Sequence, residues 1–120
     1  MSKYVDGFVI PMPKKNLKKY KKMAQLGKKT WMKHGALDYY ECVGDDMNMM
    51  GGAGMGFKKM CKLKPTETVV FAYIVYKNKA HRNKVNKAVH KEFSDMGGEM
   101  EMPFDMSKFS VAGFKVVVSS

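Results

Sequence analysis

Residues 67 to 92, ETVVFAYIVYKNKAHRNKVNKAVHKE, constrain the fold of this chain more than any other segment. The first ten residues alternate between two faces and are rich in aromatic and β-branched side chains, which is typical of a strand. Asn78 can cap a helix that we predict from about Lys79 to Phe93. The segment therefore predicts a strand that leads directly into a helix.

The N-terminal region predicts a second strand-helix unit. Residues 3 to 12 alternate, with Tyr4, Asp6, Phe8 and Ile10 on one side and Val5, Gly7 and Val9 on the other. We expect the side with the smaller residues to allow a helix to pack closely. Pro13 suits the first turn of this helix, which we predict to run to about Lys33, with Gly35 at its C-terminal cap.

The remaining segments complete the order β-α-β-β-α-β. Residues 36–43 and 111–118 alternate like strands, whereas residues 44–66 predict a long loop with a short extended piece at 57–64. This order permits a four-stranded antiparallel sheet with both helices on one face, the α+β ferredoxin-like arrangement. We expect a single domain over residues 1–120.

One face of such a sheet would remain without helices. The residues on it would be either Phe71, Tyr73 and Val75 or their alternates Val70, Ala72 and Ile74. A large exposed apolar face is rare in monomers, so we expect two sheets to pair face to face. A chain of 120 residues also gains useful stability from a second copy. The sequence thus predicts a homodimer, a dimeric α/β-barrel.

Several classes of protein are disfavoured by composition and motifs. No run approaches the roughly 18 apolar residues of a membrane span, and the N-terminus lacks export features, so we expect no membrane association and a cytoplasmic location. Cys42 and Cys61 lie 19 positions apart, which suits neither a zinc pair nor a redox motif. Thirteen methionines are better explained by flexible packing of loops than by a copper site. No catalytic motif is present, and we predict no metal and no cofactor.

Aromatic residues and one histidine suggest a binding pocket at the seam between helices and sheet. The predicted ligand-binding residues are Trp31, His34, Tyr39 and Tyr73. A small planar or apolar molecule would suit such a pocket, and His34 could act as a general base in a cofactor-free enzyme. Alternatively, His34 contacts the last carbonyls of its helix while the tyrosines fill the core and an interface.

The basic charge raises a second functional hypothesis. The net charge of +11 arises from 21 lysines and a single arginine, and residues 14–33 carry nine lysines but no acidic residue. Lys18, Lys19 and Lys22 are therefore candidates for sequence-independent RNA binding. The scarcity of arginine and the lack of aromatic residues interleaved with these lysines favour an ordinary solvated face instead.

Four phrases occur together in a recognisable order: YVDGFVIP at 4–11, HGALDYYEC at 34–42, ETVVFAYIVYKNKAHRNKVN at 67–86, and MPFDM at 102–106. Together they resemble the uncharacterised bacterial DUF1428 family over nearly the whole chain. The resemblance implies a dimeric α+β barrel in which two ferredoxin-like sheets face each other. The family offers no established catalytic residue to carry over. The broader fold group includes cofactor-free monooxygenases, stress-response proteins and heme-handling enzymes, so the fold alone does not assign chemistry. Residues 47–60 are richer in methionine than the family pattern.

Overall fold

Four strands and three α-helices follow one another in the computed structural model, which describes residues 3–48, 54–97 and 101–120. The strands are β1 (Tyr4–Pro13), β2 (Asp38–Val43), β3 (Glu67–Tyr76) and β4 (Ser110–Lys115). The helices are α1 (Leu17–Lys33), α2 (Gly56–Met60) and α3 (Lys79–Asp95), with short 3-10 turns at Lys14–Asn16 and Met106–Lys108. In these described ranges, no helix has both the length and the apolar character needed to cross a membrane.

The strands form one sheet in the order β2-β3-β1-β4, and every neighbouring pair is antiparallel. The two central strands pair over ten residues, from Tyr4 opposite Tyr76 to Pro13 opposite Glu67. With α1 and α3 both packed on one face, this is the α+β ferredoxin-like fold that the element order predicts.

The two long helices lie on the bulky side of β1, so the expectation that they would pack on its small side is wrong. Ile10 and Met12 join the core with α1, and Asp6 contacts α3. Bulky side chains supply the apolar area that packing against a helix buries. The opposite side of β1 is open to solvent, and Gly7 there accommodates the ring of Phe114, which a Cβ on Gly7 would approach to 3.1 Å.

The core between sheet and helices consists of two clusters. The cluster under α1 contains Ile10, Met12, Tyr20, Ala24, Val70, Ala72 and Phe104. The cluster under α3 contains Ala36, Ile74, Tyr76, Val85 and Val89. Four alternate residues of β3, Val70, Ala72, Ile74 and Tyr76, enter one of the two clusters, which explains why the alternation in this strand is so clear in the sequence.

The predicted C-terminal end of α1 and the predicted start of α3 are confirmed, but Pro13, expected in the first turn of the N-terminal helix, is the last residue of β1, and α1 begins only at Leu17 after a 3-10 turn. Asn78 is extended and its side chain accepts a hydrogen bond from the backbone N–H of His81 at 2.8 Å. Gly35, just after α1, has a φ of 108°, a conformation that favours glycine.

Two details of the predicted strands are wrong. Residues 57–64 were expected to be extended, but α2 begins at Gly56, and the N–H of Cys61 donates to the carbonyl of Phe57 at 2.9 Å. The lysine and methionine residues of this segment are good helix formers. The last strand ends at Lys115 and not at residue 118, because its partner strand β1 begins at Tyr4, opposite Lys115.

Candidate binding cleft

A cleft of about 510 Å³ opens between α1, β2 and the end of α3. Its walls combine aromatic and thioether side chains with one carboxylate, and they include Met23, Trp31, Tyr39, Glu41, Phe93 and Met102. Ligand pockets of proteins are typically a few hundred Å³ in volume, mainly apolar, and have few polar groups. The composition of the cleft matches that description.

Glu41 is the polar centre of the cleft. It lies on the helix-facing side of β2, opposite Ala72 of β3, where the small neighbour leaves room for the carboxylate. The hydroxyl of Tyr20 donates to its Oε1 at 2.7 Å, and the hydroxyl of Tyr39 donates to its Oε2 at 2.6 Å. Each carboxylate oxygen can accept more than one hydrogen bond, so Glu41 retains capacity for a ligand.

The two tyrosines act as neutral donors. Burial, and then the hydrogen bond and charge of Glu41, raise the pKa of Tyr20 and of Tyr39 far above the ordinary value near 10. Both hydroxyls therefore keep their protons at physiological pH. They orient the Glu41 carboxylate without neutralising its charge.

Trp31 forms one wall of the cleft, and a network of hydrogen bonds fixes its indole ring. Its ring lies 6.1 Å from Tyr39 and 5.9 Å from Phe93, measured between centroids. The indole Nε1–H donates to Oδ1 of Asn86 at 3.0 Å, and the hydroxyl of Tyr76 donates to the same oxygen at 2.9 Å. These bonds fix the orientation of the indole.

The network continues from Asn86 to a partly buried ion pair. Nδ2 of Asn86 donates to Oδ2 of Asp6 at 3.2 Å, and Oδ1 of Asp6 lies 3.4 Å from Nε of Arg82. Nη2 of Arg82 donates to the hydroxyl of Tyr4 at 3.1 Å, and the guanidinium lies 5.0 Å from the centre of the Tyr4 ring. Asp6 is only 5% exposed. The central strand is thus connected through α3 to the wall of the cleft.

The four predicted ligand-binding residues do not converge on one site. Trp31 and Tyr39 line the cleft. His34 lies at the end of α1, where its Nε2 is 2.8 Å from Oε1 of Glu92. Tyr73 is on the opposite face of the sheet, and its ring lies 5.1 Å from that of Tyr40. The structure therefore brings two of the four together.

The site contains residues that sequence reasoning missed. Glu41 stands in an alternating strand on the same side as Tyr39 and Val43, and an acidic residue on the apolar side of a strand is a signal that could have identified it. Tyr20 is a buried residue of α1, and its position in the sequence alone does not indicate a role in binding. The sequence does not indicate a role for Asn86, because its hydrogen-bond partners are distant in the chain. Trp31 lies 55 positions before it, and Asp6 lies on β1.

The predicted RNA-binding lysines and the possible metal ligands are also placed by the structure. Lys18, Lys19 and Lys22 are exposed on α1.

Cys42 and Cys61 are free thiols, and burial raises the pKa of Cys61. Across the ranges that the structure describes, no group of three histidine, cysteine or acidic side chains is arranged to hold a metal. Met49, Met50 and Met100 lie outside those ranges.

Comparison with known proteins gives matches over nearly the whole chain. "Uncharacterized protein YbaA" of Escherichia coli strain K12 is 31% identical over 121 residues, which cover 97% of each chain. Proteins of the same name from Escherichia coli O157:H7 and Shigella flexneri match equally well. Among solved structures, the de novo designed protein Foldit4 covers 98% of this chain and 99% of its own, with 8% identity and a TM-score of 0.44. The model of the family described as "Protein of unknown function (DUF1428)" matches residues 3–106, and the chain belongs to this family.

Proposed function

We propose that the protein is a homodimer that binds a small planar or apolar molecule in the cleft between α1, β2 and α3. The observation that carries the proposal is a single carboxylate, Glu41, held by two tyrosine hydroxyls in an otherwise largely apolar cleft of about 510 Å³. The aromatic walls would bury the ligand, and Glu41 would orient it by accepting a hydrogen bond. Trp31 would supply a rigid face, since Asn86 fixes its ring.

Whether the bound molecule also reacts is a separate matter. Among the lining residues that the structure describes, Glu41 is the side chain suited to accept a proton from a ligand within hydrogen-bonding distance. His34, the earlier candidate for a general base, is engaged with Glu92 at the end of α1. Our proposal concerns binding, and any proton transfer would be assigned to Glu41.

The test uses the single tryptophan of the chain as a reporter. In a two-dimensional ¹H–¹⁵N spectrum, Trp31 gives one indole N–H signal, and we expect neutral, amino or carboxylate derivatives of naphthalene to shift it in a saturable manner. Phe93→Ala should weaken binding, because it removes an aromatic wall next to Trp31. Tyr73→Phe is the matched control on the other face of the sheet. No saturable shift with any of these probes at millimolar concentration would overturn the proposal.

The open face of the sheet supports the homodimer. It carries Val5, Val9, Tyr40, Phe71, Tyr73 and Phe114, and Phe71 and Phe114 are 43% and 57% exposed. The strand residues on this face include no lysine or arginine, in a chain whose net charge is +11, and its charged members Asp38 and Glu67 are acidic. Two positively charged molecules repel each other least where they approach through surfaces that carry no basic side chain. A second copy, with the same apolar face, is therefore the partner we propose.

Light scattering after size exclusion tests the dimer. We expect the wild type to elute with twice the mass of one chain and Phe71→Lys to elute as a monomer, because the substitution would bury an unpaired charge at the interface. Met32→Lys is the control, since Met32 is 40% exposed but lies on α1, on the other side of the molecule. A monomeric wild type at high micromolar concentration would exclude the dimer.

RNA binding is the second candidate, supported by the outward position of all nine lysines of residues 14–33. If six or more phosphates are contacted, affinity for a single-stranded RNA should fall about a thousandfold between low and physiological salt. Charge reversal at Lys18, Lys19 and Lys22 should abolish this binding. Equal affinity of wild type and the triple variant would exclude the lysine-rich face.

A cytoplasmic location is part of the proposal. It rests on the free state of Cys42 and Cys61, which a reducing compartment would preserve. Fractionation of the native host should place the protein with cytoplasmic markers; recovery in the membrane or exported fraction would contradict the proposal.

A further inference from the structure

We propose that the cleft selects an organic cation, a protonated amine on an apolar or aromatic body, and that Glu41 serves as its counter-ion. This inference rests on the proposed function of the cleft and narrows it to one class of ligand. It follows from the charge of Glu41, from the neutrality of its two partners, and from the aromatic rings that line the same cleft.

Glu41 has no cationic partner among the residues that the structure describes. The ion pairs found there join other groups: Lys33 and His34 with Glu92, Arg82 with Asp6, and Lys91 with Asp95. In a chain with 22 basic and 11 acidic residues, a partly buried carboxylate that lacks a positive partner is unexpected. A cationic ligand would supply the missing charge.

The tyrosine hydroxyls do not supply that charge. Tyr20 and Tyr39 donate hydrogen bonds to the two carboxylate oxygens but remain neutral, so the negative charge of Glu41 is oriented and not compensated. A neutral ligand hydroxyl could add a third hydrogen bond, but only a cation would also gain the Coulomb energy. Since the cleft is lined largely by apolar groups, that energy exceeds its value in bulk water.

The rings around Glu41 favour the same ligand class. Trp31, Tyr39 and Phe93 present adjacent aromatic rings along one wall, with centroid separations of 6.1 and 5.9 Å. A cation within about 6 Å of an aromatic face is attracted by the ring quadrupole, and several rings around a carboxylate form an arrangement suited to ammonium groups. Met23 and Met102 add polarisable contacts for the apolar body of the ligand.

An anionic ligand is the alternative to a cationic one in this region. Lys21 and Lys28 line an adjoining cavity that shares Tyr39 and Glu41 with the cleft. A ligand carboxylate held by those lysines would have to lie close to Glu41 and would be repelled by it. The described lining of the larger, aromatic cleft contains no lysine. These positions favour the cation.

Three probes of nearly equal shape test the proposal: 2-(aminomethyl)naphthalene, 2-(hydroxymethyl)naphthalene and 2-naphthoate. Titration at neutral pH follows the Trp31 indole signal. We expect the amine to bind about tenfold or more tightly than the alcohol, which corresponds to about 1.4 kcal/mol. In Glu41→Gln the amine and the alcohol should bind within about threefold of each other, whereas Glu41→Asp should retain a preference for the amine because the charge is kept.

Asp45→Asn is the control for the change in net charge, since Asp45 is an exposed acid shortly after β2. It should leave the preference unchanged. If the alcohol binds as tightly as the amine, or if naphthoate binds most tightly, the cation proposal is overturned while binding in the cleft stands. If none of the probes shifts the Trp31 signal, the proposed function itself fails.

Discussion

At the residue scale, the cleft depends on how Glu41 and its two tyrosines share charge and protons. Tyr20 lies on α1 and Tyr39 lies on the same strand as Glu41, so the carboxylate accepts hydrogen bonds from residues of two elements. Both hydroxyls are directed to the carboxylate before any ligand arrives. Such preorganisation lowers the entropic cost of binding, because the polar group is already oriented.

Removing the charge of Glu41 should change how these tyrosines titrate. In Glu41→Gln, we expect Tyr20 and Tyr39 to ionise at a lower pH than in the wild type, because the carboxylate is the second cause of their raised pKa after burial. Ultraviolet absorbance of the phenolate against pH measures this. Tyr76 is the internal control, since burial and then Asp6 raise its pKa.

The raised pKa of Tyr20 and Tyr39 in the folded protein also predicts how its stability changes at alkaline pH. The pKa of the two tyrosines is higher in the folded state than the unfolded value near 10, so the unfolded state loses their protons first as the pH rises. The free energy of unfolding should therefore fall above about pH 10, and the total fall should be smaller in Glu41→Gln, because the lower folded-state pKa ends the fall at a lower pH. Urea unfolding at several pH values tests this, and parallel curves for the two proteins would contradict it.

The Asp6–Arg82 pair behind the cleft is suited to a double-mutant cycle. Asp6→Asn leaves the guanidinium of Arg82 without its counter-charge and should reduce the free energy of unfolding by about 2 kcal/mol. Arg82→Gln should cost a similar amount, and the double variant should cost less than the sum of the two. If the loss in the double variant equals the sum of the two single losses, Asp6 and Arg82 are not coupled. Asp45→Asn, at an exposed position after β2, is the control.

At the scale of elements, the local chemistry of helix ends determines where α1 ends and where α3 begins. Asn78 begins α3 by accepting from the N–H of His81, and Gly35 ends α1 with a positive φ. Both are visible in the sequence because one residue type is suited to each conformation. The side of β1 that receives the helices was not predictable in this way, because alternation defines two faces but not which one is covered.

Replacement of the helix cap tests this element directly. Asn78→Ala should lower the free energy of unfolding by about 1 kcal/mol, because the N–H of His81 loses its acceptor at 2.8 Å. Asn83→Ala is the matched control: Asn83 is exposed within α3, and the substitution there should be neutral or slightly stabilising. Equal losses for the two variants would show that the cap contributes nothing specific.

The cleft could be predicted only in part from the elements. Trp31 and Tyr39 were identified because an aromatic residue on a helix stripe and one on a strand meet at the seam. Tyr73 was misplaced relative to them, since its strand exposes alternate residues to opposite faces and the sequence left both choices open. The contact of Asn86 with Trp31 depends on how α1 and α3 lie side by side, which is a long-range property of packing.

At the scale of the whole molecule, charge is segregated by layer. The described chain is about 20 Å thick, a sheet with one layer of helices. The lysines of residues 14–33 are exposed on the helix side, whereas the aromatic residues of the open sheet face lie on the other. This arrangement keeps the basic groups away from the surface proposed for the dimer, so that pairing would not bring the lysines of two copies together.

The crowding of lysines predicts that salt stabilises the folded protein. Nine lysines and no acidic residue occur in residues 14–33, so their mutual repulsion opposes folding. Raising sodium chloride from about 10 to 150 mM shortens the Debye length from about 30 to 8 Å and should raise the melting temperature by a few degrees. The exposed pairs Lys33–Glu92 and Lys91–Asp95 will weaken, but such pairs contribute little.

Neutralising part of this charge should reduce the effect of salt. Lys18→Gln combined with Lys22→Gln removes two neighbouring charges from the exposed side of α1, and we expect a higher melting temperature at low salt with a smaller rise as salt is added. Lys115→Gln, at the exposed end of β4 and outside the lysine-rich segment, is the control for loss of a lysine elsewhere in the chain. Differential scanning fluorimetry across a salt series measures all three proteins. A melting temperature that falls with added salt would show that attraction between opposite charges outweighs the repulsion among the lysines.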